Sequence, residues 1–511
     1  MKKWIVSFLF VGLLLSNSIG WAEKKSEDLK QTQNLETEAE KDQVYIKLGT
    51  VEVIAEKGCL ASADIPASVD VVGSDQINNE NVDFSTELMK KVPGTYYGDW
   101  NQGVISGTFS VRGFDANHDT PLALIVDGIP YNYAYGRLNM QPYFPMEIER
   151  MELIKGTNDP RYGLNNIAGN LNISTKQGGD EIKTKVITGS FDTIEADALV
   201  ATEKNGLSQT YFIGYRSTDG YREHSDLSKG AISGKWFYTT EDEKMTLGTI
   251  ARYFNMEANS PGYLTKEQSE QDPRQMQSFS RTDGGIQEDK HFSLHLDYFF
   301  ADNLILSLKA YVQNMERTRW CKFTPTSSQQ ERVLDDTQYG VISTVSFETD
   351  KWFGKTFRLD WGTDYQLTES ANQRFSVVDR VRSSTTRDWE YTSWYWGTYL
   401  KADAVFTDWI RLNAGLRMDH FDGDFNDKRT NKQPEMIDFG DIWQPKVGIV
   451  VTPYHGYNLY ANWGRAFQLP SDNQRFEDQI GNNIDYSKND GWELGVKSFT
   501  SYDGMATCNE T

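Results

Sequence analysis

Few of the chain's reactive side chains stand where chemistry could use them. Lys155-Gly156-Thr157 has the ending of a phosphate loop but lacks the upstream glycine that would help wrap a phosphate. Cys59, Cys321 and Cys508 are too scattered for a Cys-x-x-Cys metal site and odd in number for a disulfide framework, so they are given no role. His-Glu-x-x-His and Gly-x-Ser-x-Gly patterns are absent as well. The expectation is a protein that is not an enzyme, with no catalytic residue, no resident metal and no cofactor. Its 52 Lys and Arg against 73 Asp and Glu, a net charge of −21, also argue against gripping nucleic-acid phosphates.

The elements that would carry these residues follow one another in distinct blocks. Lys2-Lys3, the apolar run Trp4 to Leu15 and the small-x-small step Gly20-Trp21-Ala22 read as an export signal over 1–22. Residues 23–48 mix charges with Gln, Asn and Thr and bury almost nothing apolar, which predicts a disordered tether. Gly49-Thr50-Val51-Glu52-Val53-Ile54-Ala55 is a short β-prone segment able to add a strand to another protein's sheet edge. Residues 56–180 then read as a compact domain. They hold a strand over 65–72, a short helix Ser85 to Lys91 capped by Ser85, a turn at Phe109 to Phe114, and a buried strand Ala123 to Val126 entering an Asp127-Gly128 turn. Gly113, Gly128, Gly156 and Gly163 fit tight turns or close backbone approach, and Arg112, Glu149 and Glu152 suit charge pairs inside a polar lumen.

From about residue 182 the period is two. Phe292, Leu294, Leu296 and Tyr298 alternate with Ser293, His295 and Asp297, and Ile410, Leu412, Ala414, Leu416 and Met418 alternate with Arg411, Asn413, Arg417 and Asp419. Each strand is thus apolar on one face and polar on the other, as in a soluble sandwich or a membrane barrel, and periodicity does not choose between them. The aromatic clusters Trp352-Phe353 and Trp394-Tyr395-Trp396, with connections alternating short and long, favour the membrane. No run of eighteen apolar residues after the N-terminus could cross it as a helix. The short turns at 301–303 and 406–409 would face the periplasm, and 255–288, 317–334, 367–388 and 420–441 would be extracellular loops.

Taken in order, Arg112-Gly113-Phe114, Asp127-Gly128-Ile129-Pro130, Lys155-Gly156 and Tyr162-Gly163 resemble the plug motifs of TonB-dependent outer-membrane receptors. Gly49 to Ala55 is similar to the family's TonB box, with Gly49 where Asp is usual and Ile54 where Thr is usual. Asn458 to Phe467 and Trp492 to Lys497 look like late barrel strands. The resemblance implies an all-β antiparallel transmembrane barrel of twenty-two strands around an N-terminal α+β plug, with about fourteen strands over 181–511 here. The barrel therefore reads as incomplete, a fragment or frameshifted product of a full receptor.

The same resemblance implies capture of a scarce ligand and its import by TonB, driven through ExbB and ExbD, in contact with outer-membrane lipid. The ligand expected is a ferric siderophore or ferric citrate-like chelate, iron entering only as part of it. Plug-loop candidates for binding it are Tyr96, Tyr97 and Trp100 after the Pro-Gly turn, and Tyr133, Tyr135 and Arg137 after Asp-Gly-Ile-Pro. Loop residues Tyr263, Arg274, Arg281, Arg319 and Trp320 are further candidates, and Ser260 to Thr265 followed by Asp272-Pro273-Arg274 is similar to a loop of ferric citrate receptors. Haem fits less well, since no His follows Arg465-Ala466-Phe467, although His118 sits in the plug; cobalamin and a passive porin or adhesin barrel stay open. A leader this short predicts no transcriptional signalling domain.

Overall fold

The computed structural model describes residues 65–115, 122–156, 159–352, 354–454, 456–470, 472–476, 484–502 and 505–510. The export signal, the tether, Gly49 to Ala55, Cys59 and His118 lie outside the described residues. The plug segment and the long sheet belong to one compact unit.

The plug has two small sheets. Its strands are β1 (Val69–Gly73), β2 (Thr95–Gln102), β3 (Ile105–Val111), β4 (Phe114–Asp115), β5 (Leu122–Val126), β6 (Ile129–Pro130), β7 (Ile148–Lys155) and β8 (Gly169–Thr175). One sheet runs β1-β7-β8-β5-β6, antiparallel except for the parallel β5–β8 pair, and the other is the β2-β3-β4 meander. Leu-Ala-Leu-Ile-Val on β5 is buried at every position, as a strand covered on both faces must be. Leu124, Met151, Leu153 and Leu171, each fully buried, centre the core beneath it. The Asp127-Gly128 turn after β5 has positive φ at both residues, 51° and 78°, the geometry of a tight hairpin.

The helix read over Ser85 to Lys91 is a 3-10 helix, Ser85–Lys91, and its N-cap is Phe84 rather than Ser85. Ser85 is the first helical residue and its hydroxyl donates to the Tyr143 carbonyl, while the Glu87 carboxylate accepts from the Asp83 and Phe84 amides.

The long sheet has fifteen antiparallel strands, each paired with its chain neighbour. They are β9 (Glu181–Gly189), β10 (Thr193–Lys204), β11 (Leu207–Thr218), β12 (Leu227–Thr239), β13 (Met245–Asn259), β14 (Gly284–Ala301), β15 (Leu304–Cys321), β16 (Gln329–Trp352), β17 (Lys355–Val378), β18 (Val381–Thr407), β19 (Ile410–Asp427), β20 (Ile442–Tyr454), β21 (Tyr457–Gln468), β22 (Ser487–Tyr502) and β23 (Met505–Glu510). Fourteen of these lie between residues 181 and 502, where about fourteen were expected.

Two of the expected loops are mostly strand. Residues 367–388 continue β17 and β18 up to a two-residue turn, Asp379-Arg380, with φ of 47° and 67°. Residues 317–334 likewise belong to β15 and β16 except for 322–328. The strands β16, β17 and β18 are 24, 24 and 27 residues long, whereas a bilayer needs only about 9–11. Beyond the bilayer both faces meet polar surroundings, so Thr368-Glu369-Ser370-Ala371-Asn372-Gln373-Arg374 loses the apolar alternation that would have announced a strand.

Candidate functional site: the plug seat and the aromatic apex

The face of the sheet that covers the plug is polar. Ser293, Gln313, Asp336 and Asp419 are wholly buried there, while Leu294, Trp361 and Leu400 on the opposite face are about half exposed. Buried polar groups need partners, and the plug supplies many of them. Glu147, behind β6, pairs with Arg252 of β13 at 3.0 Å, and the Ser233 hydroxyl on β12 donates to the same oxygen. Asp127 accepts from Lys235 of β12 at 2.9 Å and from the Thr175 amide and hydroxyl. Burial alone would raise the Asp127 carboxyl, but Lys235 and then Arg252 overcome that and hold it at about 2. Arg112 reaches Glu493 of β22 at 2.8 Å, and Glu493 also accepts from the Ser68 amide and the Tyr460 hydroxyl.

The glycines of the motif have individual reasons. Gly156, at φ 99°, lies where a Cβ would stand 3.4 Å from both Arg112 and Glu493. A Cβ on Gly163 would collide with Arg417 and Asp419 of β19, a guanidinium and a carboxylate locked together with Asp364. Glu149 and Glu152 find their partners close by rather than on the long sheet. Glu152 pairs with Arg150 at 2.5 Å and Glu149 with Lys176 at 3.6 Å. Both sit on β7, flanked by β1 and β8, so their partners come from the plug and its exit segment. Lys155 is likewise internal, bonded to Asp70 and the Pro93 carbonyl.

Of the six apex candidates, Tyr133, Tyr135 and Arg137 are brought together. The two tyrosine rings stack with centroids 5.4 Å apart, and Arg137 lies 5.5 Å from the Tyr135 ring. Arg317 of β15 completes the group, 5.1 Å from the Tyr133 ring and donating to the Tyr135 hydroxyl at 2.7 Å. Asn132 stiffens this loop by accepting from the Leu124 amide and donating to the Leu122 and Gly136 carbonyls. The wall strand β16 holds it too, through Asp336 to the Ala134 amide and Gln338 to the Asn132 carbonyl.

Tyr96, Tyr97 and Trp100 occupy a different apex, the β2–β3 hairpin, whose Gln102 accepts from Ser260 beyond β13. Tyr96 is 70% exposed, whereas Tyr97 is half-buried beneath Lys90. Among the loop candidates, Arg274 lies over the Phe191 and Tyr221 rings and Arg281 pairs with Asp379, so both are engaged within the loops. Arg317 escaped the sequence reading. Its signal was the inward alternation Tyr311, Gln313, Met315, Arg317, visible once β15 is extended past 316. Below the apex a cavity of about 160 Å³ separates plug from wall, with Gly128, Pro130, Tyr162, Lys309, Gln366 and Tyr395 among its lining.

A sheet apolar on its open face and polar toward an enclosed domain is inverted relative to a water-soluble protein and suits lipid outside and a filled lumen inside. Residues 214–507 match the family described as TonB dependent receptor-like, beta-barrel, and residues 61–170 match the TonB-dependent Receptor Plug Domain. The chain belongs to the TonB-dependent receptors. It is a protein of the Gram-negative outer membrane.

This TonB-dependent receptor is 22% identical over 486 residues to the vitamin B12 transporter BtuB of Vibrio cholerae, covering 89% of this chain and 70% of that protein. It is 22% identical to the hemin receptor of Yersinia enterocolitica over 84% of this chain, and 27% identical to BtuB of Vibrio vulnificus over 34%. The chain spans 60% of the hemin receptor's length and 28% of the Vibrio vulnificus protein's. Its fold is like that of unliganded ferric citrate transporter FecA, with a TM-score of 0.77 at 17% identity, covering 85% of this chain and 68% of the other. The siderophore receptor PiuA of Acinetobacter baumannii follows at 0.73 and 15%, covering 85% and 70%.

Proposed function

We propose that this receptor captures a ferric siderophore or ferric citrate-like chelate at its extracellular mouth and imports it with energy relayed by TonB, driven by ExbB and ExbD. The observation that carries the reading is the stacked Tyr133–Tyr135 pair with Arg137 on a loop braced by Asn132, met by Arg317 from the wall strand β15. Such a group suits an anionic, ring-bearing ligand. Tyr96, Tyr97 and Trp100 would contribute from the neighbouring hairpin. A passive pore has no use for a plug seated by ion pairs to several wall strands, those of Asp127 and Glu147 buried.

In this reading Gly49 to Ala55 is the strand offered to TonB after the tether 23–48, and the export signal 1–22 directs the chain outward. Residues 56–180 form the plug and 181–511 the barrel. Pulling at the box would act first on Pro66 to Ser68, which Asn462 and Glu493 hold against the wall. A second reading, import of cobalamin or haem, draws on relatives whose names are vitamin B12 transporter and hemin receptor. Deleting residues 49–55 tests the energy-coupled reading: ligand binding at the cell surface is retained and uptake is lost. Uptake that continues unchanged refutes it in favour of passive entry.

A further inference from the structure

Four arginines lie in one straight row across the mouth of the sheet. The strand register places Arg319 of β15 opposite Arg332 of β16, Arg332 opposite Arg374 of β17, and Arg374 opposite Arg387 of β18. No single strand announces this arrangement; it exists only once the four are paired.

The row faces the lumen. Arg319 is two residues beyond Arg317, which bonds the plug, and shares its face. Arg332 stands six residues before Gln338, which donates to the plug's Asn132 carbonyl. Arg374 stands four residues beyond Ser370, whose hydroxyl donates to lumen-facing Asp336. Arg374 also lies nineteen residues past the start of β17 at the short-turn end, farther than a bilayer-crossing strand extends. The row therefore sits above the bilayer, at the level of the plug apex.

Like charges directly opposite one another destabilise a sheet, and this chain, with 73 acidic residues, has ample means to neutralise them. For three of the four it does not do so. Among the described residues none of Arg319, Arg332 and Arg374 forms an ion pair, and the Nε groups of Arg319 and Arg374 are buried without a hydrogen-bond partner. Arg332 donates only to the neutral Gln330 side chain, at 3.0 and 2.9 Å. The nearby Asp283 carboxylate is taken by the Lys322 amide and the Gln329 amide group. Arg317 and Arg137 add to the positive charge around Arg332. Arg387 closes the row, lying 3.5 Å over the Trp389 ring.

We infer that this row is the subsite for a polyanion, a ferric chelate carrying several carboxylate or phosphate groups at once. The inference rests on the import reading and names its substrate class. Neighbouring strands are about 4.8 Å apart, so Arg319, Arg332 and Arg374 present donors across roughly 10 Å, with Arg387 at the end of the row. Each group can grip a carboxylate or phosphate through two parallel hydrogen bonds, which a neutral chelate cannot reciprocate. The missing countercharge is the ligand's own.

The test uses the full chain in detergent micelles with three iron complexes: ferric citrate, ferric pyrophosphate and a neutral ferric trihydroxamate. Calorimetric titration is expected to show at least tenfold tighter binding of one or both polyanions than of the neutral complex, weakening steeply with added salt. The citrate and pyrophosphate arms tell carboxylate from phosphate. Arg332→Gln and Arg374→Gln each weaken polyanion binding tenfold or more, and Arg332→Lys less than Arg332→Gln. Thermal melting supplies the control: the Gln variants melt no lower than wild type, and polyanion raises the melting temperature of wild type alone. Equal or tighter binding of the neutral complex, no binding of either polyanion, or Gln variants that bind as wild type does would each overturn the assignment. Uptake separates this from the import reading. Box-dependent uptake of neutral chelates alone sinks the polyanion subsite and leaves import standing, whereas polyanion binding with box-independent uptake does the reverse.

Discussion

Replacing Glu147 with Gln removes the negative partner of Arg252 while leaving a side chain of the same size. In the native chain both side chains are 3% exposed, 3.0 Å apart, and Glu147 also accepts from the Ser233 hydroxyl and the Phe144 amide. Arg252 cannot shed its charge and cannot reach water. Its next carboxylate, Asp127, already accepts from Lys235 and Thr175. Removing one member of such a buried pair costs about 3–5 kcal/mol. At 1.36 kcal/mol per tenfold, the opening equilibrium of the plug should rise between roughly one hundred and five thousand fold. Hydrogen exchange at the amides of β5 and β8, in the plug sheet, reads that equilibrium directly. The double variant Glu147→Gln/Arg252→Met should exchange more slowly than the single variant, because no charge is left buried. A single variant that accelerates exchange less than tenfold, or a double variant as open as the sum of its parts, refutes the claim that this pair seats the plug.

Two further outcomes follow from the same seat. Asp127 is held at about 2, below its ordinary 3.8, so its contribution of roughly 2–3 kcal/mol is present above the unfolded value and is lost as pH falls through about 2. The opening equilibrium of the plug, read as exchange divided by the intrinsic amide rate at each pH, should therefore rise between about pH 5 and pH 1 in wild type and do so less steeply in Asp127→Asn; identical slopes would exclude Asp127 as the source. Gly163→Ala places a methyl group against Arg417 and Asp419, which Asp364 and Gln444 hold in place, so it should lower the melting temperature by an amount equivalent to about 1–3 kcal/mol. An unchanged melt would mean that the plug loop, not the wall, gives way.

Much of this protein was legible from local pattern. A period of two needs only neighbouring residues to be seen, so Phe292 to Tyr298 and Ile410 to Met418 declared themselves as strands with one wet and one greasy face. Asp127-Gly128 announced its turn because a non-glycine followed by Gly at positive φ is a local demand of the backbone. The failures have equally physical causes. Thr368 to Arg374 read as a loop because polar surroundings on both sides erase the alternation. The partners of Glu149 and Glu152 stayed hidden because their charge was visible and their place on β7, between two plug strands, was not.

What remained hidden is what long-range pairing creates. Whether the greasy face meets lipid or a second sheet depends on where the plug packs, and residues 65–175 and 181–510 had to come together to settle it. Arg319, Arg332, Arg374 and Arg387 are separated by 13, 42 and 13 positions in the chain and form a row only because three hairpin registers align them. A register shift of one residue would turn any one of them to the opposite face. Spacing along a single strand is written in its own residues, whereas the alignment of one strand on the next follows from closing each hairpin against the shared wall.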